Sequence, residues 1–227
     1  MNMGEKSQSH THNFLAYWFS KGLYLSWFQM FTQLLDPILS LISKSYGREV
    51  YEVLDYESTL ELKDIRGEKA TFRKRERVRY LRDNIIAYQD QAWGDGEILL
   101  NYKCKPGYPV DRYRPGKKTY ILISLREVKN RGDIDEFNIQ WNIRNGFLRK
   151  TELWETTVTH PTKNLKINII FPHKRPPLEV LLIEGTPQKS KNLDESNQHQ
   201  LPNGRWVVSW NTKQPRKNLE YILKWTW

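Results

Sequence analysis

A chain of 227 residues whose only cysteine is Cys104 can form no internal disulfide and no cysteine-based zinc site, which points to a reducing, cytoplasmic setting with membrane association left open. Thirty-six Lys and Arg against 26 Asp and Glu give a formal charge of +10, so anionic partners are expected: nucleic acid, nucleotides or an anionic membrane surface. None of the five histidines stands at a two-ligand helical spacing beside a carboxylate, and neither a metal nor a cofactor is expected.

The first 13 residues read as a polar, flexible tail. Residues 14–44 are far more apolar than the rest. Trp27, Phe28, Phe31, Leu34, Leu35 and Ile38 recur at three- and four-residue steps, the signature of one apolar helical face. The uncharged run from Gly22 to Leu35 falls short of the roughly 20 residues a spanning helix needs, and Pro37 follows at once. Trp18, Tyr24 and Trp27 are types that favour the headgroup zone. The segment is therefore expected to lie on an anionic membrane surface or to pack against protein, either a partner or a second copy of the chain in a homo-oligomer.

From Glu49 the pattern changes to alternation. It predicts an all-β domain over 49–227, a β-sandwich or partly open barrel of about ten mostly antiparallel strands. The first hairpin turns at Ile65, Arg66 and Gly67, with Gly67 left-handed. That turn sets Leu60 opposite Phe72 and Leu62 opposite Ala70 on the buried face, and Glu61 opposite Thr71, Thr59 opposite Arg73 and Glu57 opposite Arg75 on the other. Period two then places Arg73, Arg75, Arg77 and Arg79 together, with Lys74 and Glu76 on the side of Phe72, Val78 and Tyr80. Arg73, Arg75, Arg77, Arg79 and Arg82 are the candidate anion-binding residues. Arg77 and Arg79 lead, because they stand beyond reach of Glu57 and Glu61. Stacking partners for a nucleic acid are missing from that face.

Residues 88–118 hold the densest mixture of carboxylates, cations and aromatics. Gly94 and Gly96 around Asp95, and Pro106, Pro109 and Pro115, read as turns and a rigid loop. Trp93, Asp95, Glu97, Asp111, Arg112 and Arg114 are the candidate ligand-loop residues. Their spacing matches no catalytic motif, and Glu61-x-Lys63 with Asp55 upstream is a three-letter likeness to metal-dependent nucleases, placed on a hairpin that already explains it. No catalytic residue is assigned.

Strands are then expected within 118–128, 136–144, 165–171, 176–185, 205–210 and 219–227, with Trp141, Trp206, Trp210 and Trp225 in core register. Residues 186–204 contain almost no apolar side chain and read as a mobile surface loop. The whole reads as a non-enzymatic binding, sensor or accessory module, docked through its N-terminal helix to a membrane or partner protein and carrying a basic face. The alternative is a nucleic-acid-binding protein or nuclease component using the strip at 73–82.

Overall fold

The computed structural model describes residues 49–227. The polar tail and the apolar segment expected as a helix lie outside the described residues. Among the described residues no helix is long and apolar enough to cross a membrane.

The strands, in chain order, are β1 (Tyr51–Leu62), β2 (Lys69–Tyr80), β3 (Ile85–Ala92), β4 (Glu97–Lys105), β5 (Tyr108–Tyr113), β6 (Thr119–Lys129) and β7 (Ile134–Arg144). There follow β8 (Thr151–Thr157), β9 (Thr162–Phe171), β10 (Glu179–Glu184), β11 (Ser190–Asn192), β12 (Gln198–Gln200), β13 (Trp206–Lys213) and β14 (Glu220–Thr226). They form a seven-stranded sheet in the order β12-β13-β9-β1-β2-β7-β4, a four-stranded sheet β11-β10-β14-β8 and a three-stranded sheet β3-β6-β5. The architecture is sandwich-like and not a closed barrel. One core runs through it: Leu60, Phe72, Phe137 and Ile169 of the large sheet cluster with Leu182, Leu223 and Trp225 of the second sheet and Tyr88, Ile121 and Ile123 of the third. Phe171 meets Trp225 edge-on at 5.7 Å, and Tyr88 stacks on Phe137 at 3.9 Å.

The β1–β2 hairpin has the pairing its apolar residues demand, Leu60 opposite Phe72 and Leu62 opposite Ala70. Gly67 is left-handed at φ +74°, and a Cβ there would overlap the Phe147 carbonyl. Asp64 has a role in this turn that the residue pattern did not announce: its carboxylate accepts the backbone N–H groups of Arg66, Glu68 and Lys69 at 2.9, 3.1 and 2.7 Å.

Three expectations need correction. Among the described residues fourteen strands stand where about ten were expected, because 88–118 supplies three strands, not only turns and a loop, and because 151–157 and 186–204 add further short ones. Within 186–204 the expected loop carries β11, β12 and two single-turn 3₁₀ helices, and Leu193 is buried beneath it. The turn at 130–135, which reads in the sequence as a reversal from one strand straight into the next, does not make a hairpin of β6 and β7. Instead the chain crosses from the three-stranded sheet to the large one, and β1 has a parallel neighbour, β9, across more than 100 residues of chain.

Candidate functional site

The arginines of β2 do share the outer face of the large sheet, and each meets a carboxylate. Arg73 reaches Glu61 at 2.6 Å, and Arg75 lies between Glu57 and Glu136 at 3.2 and 3.3 Å. Arg77 and Arg79 find acids of their own, Asp55 at 3.8 Å and Glu52 at 2.9 Å. Asp55 continues the hairpin register of Glu57↔Arg75 one step further, whereas Glu52 is turned across from Arg79 by a bulge at Leu54, where the register passes from Asp55↔Arg77 to Val53↔Val78. Arg82 also has partners among the described residues. Glu61 is the tightest point, held by Lys63 and Arg73, each at 2.6 Å, and by Arg205. Burial alone would raise its carboxyl; the hydrogen bonds from Lys63, Arg205 and Arg73 outweigh that and hold it at about 2. Its likeness to a nuclease carboxylate is thus answered by a structural role.

On the inner face of the same strand lies a charge that period two had placed in the core. Lys74 is 7% exposed and reaches Asp90 of β3, 1% exposed, at 2.6 Å. It also meets Glu76 at 3.0 Å and the Tyr88 hydroxyl at 3.1 Å. The Tyr88 and Tyr102 hydroxyls donate to Glu76 and Asp90 at 2.8 and 2.9 Å. Burial would by itself depress the Lys74 ammonium, but Asp90 and Glu76 overcome it and keep the group charged far above its ordinary range. Burial and Asp90 push the neighbouring Cys104 thiol up to about 12, so it is a poor nucleophile. With every charge satisfied inside the core, this cluster fastens β3 to β2.

The ligand-loop candidates are not brought to one point. Asp95 pairs with Arg149 at 3.5 Å and Glu97 with Arg144 at 3.3 Å, both exposed. Trp93 is half-buried, hydrogen-bonded to Glu155 and covered by the Lys118 ammonium at 4.4 Å. Among the described residues no three His, Cys, Asp or Glu side chains converge to hold a metal.

Asp111, Arg112 and Arg114 belong instead to β5 and the turn beyond it, at the edge of the three-stranded sheet. Every residue of β5 is exposed. From Tyr108 to Lys118 the chain carries Arg112, Arg114, Lys117 and Lys118 against Asp111, four positive minus one negative, or +3. The Arg112 backbone N–H donates to the Asp111 carboxylate at 2.7 Å, but the side chains of Arg112, Arg114, Lys117 and the nearby Arg126 of β6 form no ion pair with a carboxylate among the described residues. The aromatics lie outside as well: Tyr108 is 41% and Tyr113 45% exposed. Arg126 stacks over Tyr108 at 4.3 Å, and Tyr113 stacks on Tyr120 at 5.3 Å and donates to Gln89 at 3.1 Å. The tyrosines are five residues apart and would fall on opposite faces of a regular strand. A bulge at Val110, between Pro109↔Ile123 and Asp111↔Leu122, returns them to one face.

No family model matches the sequence, and no curated protein matches it. Solved structures similar to it include a Parabacteroides distasonis ATCC 8503 protein described as a candidate protease, at 11% identity and a TM-score of 0.45 over 78% of this chain and 40% of that one. Another is an M1 zinc metallopeptidase from Deinococcus radiodurans, at 9% identity and a TM-score of 0.42 over 77% of this chain and 42% of that one. The chain thus spans less than half the length of either, and likeness at this level carries no chemistry across.

Proposed function

We propose that the chain is a non-enzymatic binding module that takes an anionic ligand on β5 and its flanks, with residues 14–44 as the segment that docks it to a membrane or a partner protein. The observation that carries this is the set Arg112, Arg114 and Lys117 at the β5 edge with Arg126 of β6 beside it: exposed cations whose side chains form no ion pair among the described residues, next to exposed tyrosines. The outer face of β2 is the weaker candidate, since a ligand there must displace carboxylates already in place.

The test compares two charge reversals in the full chain, Arg112→Glu with Arg114→Glu, and Arg75→Glu with Arg77→Glu. Both lower the net charge equally. Salt-dependent binding to heparin is expected to vanish in the first pair and persist in the second. Loss confined to the second pair would return the site to the strip. For the docking segment, flotation with anionic vesicles or self-association is expected to be lost in Trp27→Glu with Phe31→Glu; retention of both removes that part of the proposal.

A further inference from the structure

We infer that the outer face of the three-stranded sheet is a site for single-stranded nucleic acid, with bases stacked on Tyr108 and Tyr113 and phosphates along Arg112, Arg114 and Lys117. This rests on the reading of β5 as the anion-binding edge and adds the class of ligand. Antiparallel pairing fixes what stands on the face. Three rows cross it: Gln91, Tyr120 and Tyr113; Gln89, Leu122 and Asp111; Ala87, Ser124 and Tyr108.

Each part has a use in that chemistry. Charge alone would serve any polyanion, but a single strand also presents flat bases, and aromatic rings beside unpaired cations are what such strands are gripped by. Both tyrosines are placed for this by the Val110 bulge, and the span from their partners Ser124 to Tyr120 on β6 separates them by roughly 13 Å, room for a few nucleotides between them. Arg126 over Tyr108 adds a planar cation to the stack. Gln89 and Gln91 supply amide groups that can donate to or accept from base edges. Asp111, in the middle row, repels phosphate; Arg112 pairs with Ile121 and so points to the other side of β5, meeting a backbone only round the free edge, with Arg114 and Lys117 in the turn beyond it. A duplex presents its bases only as groove edges and cannot stack on these rings. The strip on β2 has cations too, but its aromatics, Phe72 and Tyr80, are in the core.

The experiment measures binding of a 12-nucleotide thymidine strand to the full chain by fluorescence anisotropy over a range of salt. A duplex of the same length, inorganic polyphosphate of matched charge and anionic phospholipid vesicles are run beside it. Binding of the single strand is expected to be at least about tenfold tighter than of duplex or polyphosphate. Tyr113→Ala is expected to weaken it by about tenfold without altering the slope of log affinity against log salt, while Tyr113→Phe binds as the parent does. Arg112→Ala with Arg114→Ala is expected to flatten that slope by roughly 0.7 for each phosphate no longer neutralised. Equal binding of strand and polyphosphate, indifferent to Tyr113→Ala, overturns the nucleic-acid inference and leaves the anion-binding edge standing. So does vesicle binding that replaces strand binding and is lost in the arginine variants. Failure to bind any of the four polyanions overturns both.

Discussion

Two stretches of this chain look alike as sequence and differ as surfaces. Residues 68–82 carry seven cations against Glu68 and Glu76, a net +5, and residues 108–118 carry four against Asp111, a net +3. Around the first, six carboxylates from β1, β3 and β7 are in place: Glu52, Asp55, Glu57, Glu61, Asp90 and Glu136. In the second, no carboxylate among the described residues pairs with the side chains of Arg112, Arg114 and Lys117, and Asp111 bonds only the Arg112 backbone. A central strand has two neighbours to supply counter-charge, whereas an edge strand has one, and β6 offers β5 apolar and hydroxyl side chains. Net charge counted along the chain therefore ranks the two stretches in the wrong order. What remains after pairing is the quantity a ligand meets.

The largest expected break in that comparison is Lys74→Met. It leaves Asp90 and Glu76 buried without their cation and should cost about 3–5 kcal/mol in urea unfolding, whereas Lys117→Met should change stability by less than about 0.5 kcal/mol. Similar effects from the two lysines would sink the distinction. Next come the paired reversals. Arg75→Glu with Arg77→Glu sets like charges against Glu57, Asp55 and Glu136 and should cost about 1–2 kcal/mol, and Arg112→Glu with Arg114→Glu should cost less than about 0.5 kcal/mol.

A smaller effect is set by pH. The Glu61 carboxyl is held at about 2 in the folded chain, below its ordinary 4.5, so its contribution is complete above pH 4.5 and is lost as pH falls from there towards 2. Glu61→Gln should flatten the decline of stability with acid in that window, and an unchanged decline would show that other groups control it. Smallest of all, Asp111→Asn removes the one acid on the β5 face and should tighten binding of a polyanion by about two- to threefold at low salt. Weaker binding instead would assign Asp111 a contact with the ligand.

Much of the large sheet was legible in the sequence because its strands have one wet and one buried face. Phe137, Ile139, Trp141 and Ile143 alternate without a break, and the hairpin register followed from setting Leu60 against Phe72. The β3–β5 region was hidden by irregularity. β4 has left-handed residues at Leu99 and Asn101 and breaks register twice against β7, so it shows no clean period, and the glycines and prolines about it read as turns alone. The residues of the candidate edge, Asp111, Arg112 and Arg114, were visible as residue types, but that the two arginine side chains would lack an ion-pair partner among the described residues was not. Counter-charge is a property of neighbours, and neighbours such as β1 and β9 are brought together over distances no local pattern records. Lys74 is the converse case. Its phase with Phe72 and Val78 marked it as inward-facing, and the missing information was that Asp90 would meet it there.

That buried contact also divides the molecule into parts that can change and parts that cannot. Lys74, Asp90 and Tyr88 hold β3, and through it the three-stranded sheet, against the large one, while β5 is paired to its sheet only through β6. Substitution along 108–118 is thereby insulated from folding. A lineage, or a designer, could rewrite the charge and aromatic pattern of this edge many times over while the anchor beneath it stays as it is.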